Sequence, residues 1–137
     1  MAVEIRMTAC PDVPAAAELY RQADWWEEGD SMQAVKKLFA GSFLVAEACD
    51  GKCLAGMGRA LSDGAGDAYI QNVVVDARYR GQGIGTAIVR ILVQELRKRG
   101  ITWIGLIGAP GTESFYRKIG FEPLKNHIPM RYRGENE

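Results

Sequence analysis

Three glycines in the six residues Arg80-Gly81-Gln82-Gly83-Ile84-Gly85 stand between an apolar run at 73–75 and a long stretch of helical periodicity from residue 84 to residue 98. A strand that feeds a helix through a turn this rich in glycine places several backbone N–H groups at one point, beside the positive end of the helix. That is the build of an anion cradle. The spacing is not the Gly-x-Gly-x-x-Gly of a dinucleotide fold, and Ile84-Gly85-Thr86 stands where a P-loop needs Gly-Lys-Ser/Thr. A ligand-free turn would carry three glycines at a cost in stability with no return. The feature therefore predicts a sheet with helices packed on it and a phosphate-bearing ligand at a strand end.

The rest of the chain supplies such a sheet. Residues 2–7 alternate as a first strand, Asp12 and Pro14 open a helix with Ala16, Leu19, Tyr20 and Ala23 on one face, and 31–39 gives a second, shorter helix. Residues 42–49 and 53–61 flank Asp50-Gly51 as a hairpin, and 68–75 forms the strand before the glycine loop. After the helix come a buried strand at 101–108, a short helix at 112–119 stopped by Gly120, and a terminal pair of strands at 121–124 and 128–132. Hairpins entering a parallel crossover make a mixed, mostly antiparallel α/β sheet in one domain spanning 1–137.

Charge excludes several functions. Seventeen Lys and Arg balance 17 Asp and Glu, so the chain as a whole exerts no pull on nucleic acid or an anionic membrane. No run approaches the roughly 18 apolar residues of a spanning helix, and the N-terminal residues show no leader, so a cytoplasmic location is expected. The charges are nevertheless split: residues 1–76 hold 6 basic and 12 acidic side chains, residues 77–137 hold 11 and 5. An anionic ligand belongs with the second part. Three cysteines and one histidine do not make a metal set, and a two-residue Asp50-Gly51 turn would put Cys49 and Cys53 on opposite faces.

The stretch 73–85 with the helix after it, and Phe115-Tyr116-Arg117-Lys118-Ile119-Gly120-Phe121 further on, resemble the two signatures of the GCN5-related N-acetyltransferase superfamily. Arg80, Gly83 and Gly85 fall on its Arg/Gln-x-x-Gly-x-Gly/Ala hallmark. The resemblance is close over 42–124 and holds in element order before that. It implies that the loop Arg80, Gly81, Gln82, Gly83, Ile84, Gly85 and Thr86 holds the pyrophosphate of acetyl-coenzyme A through backbone N–H groups. It also implies that Val73 and Val75 offer backbone to the pantetheine arm where the strands 68–76 and 101–107 splay apart. Tyr116 matches the family tyrosine that protonates the departing thiolate, a role a phenol of pKa about 10 can fill. The other reading is a core tyrosine packed beside Phe115 and Phe121. Where many members have a coenzyme-contacting asparagine this chain has Ala109, leaving Ser114 as the substitute polar contact.

The acceptor side is less well marked. Members place a glutamate base on the strand before the loop, whereas this chain has Gln71-Asn72, and Gln71 can hold a water or an amine but not take a proton. Tyr69 and an acid from the N-terminal part are the other routes for that proton. The same strand resembles that of glucosamine-6-phosphate acetyltransferases without their acidic pair. Trp25-Trp26-Glu27-Glu28, on the connection that the family places near the acceptor, reads either as an apolar slot for a cationic amine or as core cover beside solvated acids. The expectation is an acetyl-coenzyme A-dependent N-acetyltransferase acting on a small primary amine without a metal, with cationic acceptors favoured. Alternatives are a coenzyme A-binding regulatory module without turnover and a protein amine acetyltransferase. The resemblance and an exposed strand edge at 128–132 suggest a homodimer.

Overall fold

The computed structural model describes residues 2–27 and 29–134. Its elements are β1 (Val3–Met7), α1 (Val13–Gln22), α2 (Met32–Ala40), β2 (Leu44–Asp50), β3 (Cys53–Ser62), β4 (Asp67–Val75), α3 (Ile84–Lys98), β5 (Trp103–Gly105) and α4 (Glu113–Ile119). A single 3-10 turn, Ala77–Tyr79, follows β4. The five strands form one sheet in the order β1-β2-β3-β4-β5. The first four run antiparallel, and α3 carries the chain over to β5, which lies parallel to β4. Chain contacts divide into two compact units, Met1–Leu106 with the whole sheet and Ile107–Glu137 with α4.

Local signals set the helix starts. Asp12 accepts from the Ala15 N–H at 3.0 Å and Ser31 from the Ala34 N–H at 3.2 Å, each satisfying one of the orphan donors of a first turn. Each face of the sheet then takes its own helices. Against one face, Ala16, Ala17, Leu19 and Tyr20 of α1 and Val35 and Phe39 of α2 pack on Val45, Met57 and Val74. Against the other lies α3, with Ile88, Leu92 and Leu96 fully buried. Two glycines let α3 approach β3: a Cβ would come within 3.0 Å of the Ile88 side chain at Gly58 and within 3.1 Å of it at Gly56.

Three expectations are corrected. The hairpin turn is Gly51-Lys52, with Asp50 paired to Cys53 and Cys49 to Leu54. Gly51 leads the turn with φ +60°, the place where a two-residue turn of the II′ kind needs glycine. Asp50 thereby stays on the strand, where its carboxylate accepts from the Tyr79 hydroxyl at 2.8 Å. Cys49 and Cys53 still face opposite ways, since each follows the alternation of its strand. The second correction concerns the strand after α3: only Trp103–Gly105 is strand, and Ile107 is 76% exposed, so the apolar run 101–108 is not a buried strand along its length.

The third is the C-terminal strand pair, which is absent. Residues 121–134 contain neither helix nor strand; the His127 N–H closes a turn onto the Leu124 carbonyl at 3.2 Å. A strand exists only through its ladder partner, and Ile128, Met130 and Tyr132, though alternating, are 79 to 89% exposed and unpaired among the described residues. With that pair goes the strand edge on which the homodimer expectation partly rested.

Candidate functional site

The site begins where pairing stops. β5 bonds to β4 only through Asp67, Ala68 and Tyr69, opposite Trp103, Ile104 and Gly105. From Ile70 to Val75 the β4 edge on that side has no strand partner among the described residues, so its backbone groups, apart from the Val75 carbonyl that Arg80 takes up, are open to an extended ligand. Val73 and Val75, expected to line that ligand, are half-buried on this free edge.

β4 ends in a tightly tied corner. The Asp76 N–H donates to the Ala55 carbonyl at 2.8 Å. Its carboxylate, 4% exposed as part of the residue, accepts from the Arg78 backbone N–H at 2.8 Å and from the Arg78 guanidinium at 3.1 and 3.2 Å. The Gln22 amide at the end of α1 bridges the corner, donating to Asp76 at 3.3 Å and accepting from the Ala77 N–H at 3.0 Å. These bonds, the Arg78 side chain foremost, hold the Asp76 carboxyl down at about 2. Arg80 then folds back to donate to the Val75 carbonyl at 3.2 Å.

The loop that follows is shaped for an anion. Gly81 and Gly83 have φ +77° and +80°, a conformation that other residues adopt only with strain, and a Cβ at either would meet nothing within 4 Å. The space beside them is open. Gly83 caps α3 without a side-chain hydrogen bond, and the first turn of α3 holds no acidic residue. The N–H groups of Ile84, Gly85 and Thr86 therefore lack the intrahelical partners they would need and point, with the helix dipole, at the loop. Gln82 lies exposed between the two glycines.

In the second unit, Tyr116 sits mid-way along α4, its ring edge-on to Phe115 at 4.9 Å and to Phe121 at 5.8 Å. The ring packs beside Phe115 and Phe121, as the packing reading expects, while the residue stays partly exposed. Burial pushes its phenol above the ordinary value, so the hydroxyl keeps its proton at neutral pH. Gly120 ends α4 with φ +116°. Ser114 is exposed on the same helix.

A second group of polar side chains lies on the α1/α2 face of the sheet. Arg59 on β3 faces Gln71 across the ladder, while the register between Met57 and Arg59 slips so that β4 carries an extra residue. Asn72, at φ +55°, forms this bulge. Gln71 and Asn72 both turn toward Arg59: its Nε donates to Asn72 Oδ1 at 2.8 Å, one terminal nitrogen to Gln71 Oε1 at 3.3 Å and the other to Ser42 Oγ at 3.3 Å. Arg59 also borders an open groove of about 400 Å³ lined with it by Ala34, Lys37, Leu38, Gly41 and Leu61. Arg59 and Lys37 were not singled out from the sequence; the signal was an arginine alone inside the apolar stretch CLAGMGRAL.

The aromatic connection after α1 is partly occupied by its own chain. Trp25 stands edge-on to Tyr20 at 5.6 Å and is 41% exposed, while Trp26 lies under the Arg21 guanidinium at 4.5 Å. Thus one of the two tryptophans already holds a cation. The Glu27 N–H donates to Asp30 Oδ2 at 2.7 Å in a turn of its own, and Glu28 lies outside the described residues. Tyr69 packs against Trp103 at 5.4 Å where β4 and β5 part. Among the described residues no three His, Cys, Asp or Glu side chains are gathered as a metal set, and no helix is long and apolar enough to cross a membrane.

Comparison with known proteins points to one family. The profile of the acetyltransferase (GNAT) family matches residues 4–121. The chain is 46% identical over 71 residues to GCN5-related N-acetyltransferase 2, chloroplastic, of Arabidopsis thaliana, a match covering 52% of this chain and 28% of that one. It is 45% identical over 71 residues to a histone acetyltransferase of Glycine max, covering 52% and 31%. It thus spans about a third of the length of these curated relatives. Among solved structures, a GNAT-family acetyltransferase from Streptococcus pneumoniae superimposes with a TM-score of 0.83 at 22% identity, covering 98% of this chain and 100% of that one, which shows a shared fold.

The Asp76 corner makes a pH-dependent contribution. A carboxyl held near 2 when folded and at its ordinary 3.8 when unfolded stabilises the fold above about pH 4 and loses that contribution as the pH falls toward about 2. Asp76→Asn should therefore lower the urea midpoint at pH 7, and the gap to the native protein should close between about pH 4 and pH 2. A gap of constant size across that range would show that the carboxylate charge does not hold the corner.

Proposed function

The chain belongs to the acetyltransferase (GNAT) family, and we propose that it transfers an acetyl group from acetyl-coenzyme A to the primary amine of a small molecule. The observation that carries this reading is the left-handed Gly81/Gly83 loop at the uncapped start of α3, set at the end of a strand whose edge is free from Ile70 to Val75. Open space where two side chains are missing, bordered by unpaired N–H groups, fits a pyrophosphate. When bound, acetyl-coenzyme A supplies an acetyl group activated as a thioester.

The chain's own groups divide the remaining work. Backbone N–H groups of Gln82, Gly83, Ile84, Gly85 and Thr86 hold the pyrophosphate, with no side chain needed to specify it. The β4 edge at Val73 and Val75 aligns the pantetheine arm as an added strand would align. Holding amine and thioester in one geometry removes much of the barrier by itself. Tyr116, kept protonated by burial, is the proton donor to the coenzyme sulfur. Gln71 cannot act as a base, so the amine sheds its proton to water.

The small-molecule reading of the acceptor draws on an open groove of about 400 Å³ between α2 and β3, bordered by Arg59, the ladder partner of Gln71 on β4. A protein amine is the second reading, favoured by the histone acetyltransferase name of one relative. Assay of free amines against histone-tail peptides separates the two.

Two variants test the core of the reading. Gly83→Asp puts a side chain and a negative charge into the cradle, and calorimetric titration should find coenzyme A binding abolished while the protein remains folded. Unchanged affinity would remove the loop from the site. Tyr116→Phe keeps the ring packing and removes the proton, so turnover should fall by roughly 10- to 1,000-fold with little change in acetyl-coenzyme A affinity. Full turnover under conditions where chemistry limits the rate would return Tyr116 to a packing role.

A further inference from the structure

The Arg59 guanidinium is the anomaly of this fold. The residue is 9% exposed, yet none of the ion pairs among the described residues includes it. Its three hydrogen-bond partners, Asn72, Gln71 and Ser42, are all neutral. Tyr20 packs near it, but burial lifts that phenol to about 12 and leaves it uncharged. Ser42 in turn donates to the Leu38 carbonyl at 2.8 Å, so the end of α2 lends the guanidinium a fraction of a negative charge and no more. An arginine cannot shed its proton to escape burial, and a buried cation without a counterion is costly.

Three of the five guanidinium N–H donors are spent on those neutral partners, which leaves two. Arg59 borders the groove, and the other charged side chain lining it, Lys37, is also a cation. A groove of about 400 Å³ with two positive groups and no negative one is complementary to an anion. Its position ties it to the reaction: Arg59 is the ladder partner of Gln71, and Val73 of the free β4 edge is two residues, at most about 7 Å of strand, further on.

We propose that the acceptor carries, besides its amine, a carboxylate or phosphate that docks on Arg59 and Lys37 in the groove between α2 and β3. The anionic group supplies the counterion that the buried guanidinium lacks. Gln71, Asn72 and Ser42 hold the guanidinium in place through its other three N–H groups, so the two free donors are preorganised for a planar, two-oxygen contact. The bulge at Asn72 has a purpose in this arrangement: it brings two consecutive β4 side chains to the same guanidinium. The preference is the reverse of the one that the acidic residues after α1 suggest, because that connection already closes its own turn and supplies its own cation to Trp26.

The inference rests on the acetyltransferase reading for its substrate but not for its binding site, and the test separates them. Acetyl transfer is measured with matched acceptors, β-alanine against β-alaninamide for a carboxylate and O-phosphoethanolamine against ethanolamine for a phosphate. In at least one pair the anionic member should be favoured in kcat/KM by about 10- to 100-fold, and the pair with the larger ratio identifies the anion. Arg59→Gln and the exposed Lys37→Gln should each pull that ratio toward one, mainly through KM. Equal kcat/KM within both pairs overturns the inference and leaves acetyl transfer standing. In parallel, the Arg59 Nε–Hε resonance of the full chain is followed while inorganic phosphate and then acetate are added. A saturable shift that Lys37→Gln weakens supports the anion site even if no amine is acetylated; an unmoved resonance overturns it.

Discussion

The buried carboxylate of Asp76 decides where the sheet stops and the glycine loop starts. It accepts from the Arg78 backbone and side chain and from Gln22 at the end of α1, while the Asp76 backbone N–H donates to Ala55 on β3. Three separate elements therefore meet on one residue at the last step of β4. Glycines at positive φ are cheap to bend in many directions, and a loop made of them is useful for binding only if both ends are held. Asp76 holds one end and the buried start of α3 at Ile84 holds the other. The glycine loop is thus tied at both ends by groups that lie outside it.

A second tension lies on the opposite side of β4. There the sheet accepts an extra residue at Asn72 and buries Arg59 without an anion to neutralise it. A core built only for stability would place apolar side chains at these positions, as Met57 and Val74 do one step along the same face. The departure occurs where the free edge of β4 begins and where a groove opens. Rules of local consistency tend to fail at functional positions, and here they fail at Arg59 and Asn72 as they do at the positive-φ glycines before α3.

Legibility in the sequence followed the range of the physics. The α1 start at Asp12, the helix Ile84–Lys98 and the glycine loop were readable because capping, periodicity and positive φ act within a few residues. The hairpin was readable in position but not in register, since Asp50 was drawn onto the strand by Tyr79, a residue 29 positions away. Alternation in Ile128, Met130 and Tyr132 looked like a strand, yet pairing depends on a partner the sequence pattern cannot display. Arg59 was missed for a similar reason. Its meaning comes from Lys37, Ser42 and the pair Gln71-Asn72, which converge from three separate stretches of chain.

The central claim is that the donor is held by backbone, along the Gly81–Thr86 loop and the free edge of β4. Titrating acetyl-coenzyme A into the isotopically labelled chain and following every backbone amide tests this without altering a residue. The account predicts saturable shifts largest at Gly81, Gln82, Gly83, Gly85 and Thr86 and extending to Val73 and Val75, as expected for N–H groups that gain a phosphate or a strand-like partner. Saturable binding that leaves those amides unmoved, with the largest shifts elsewhere in the chain, would contradict it.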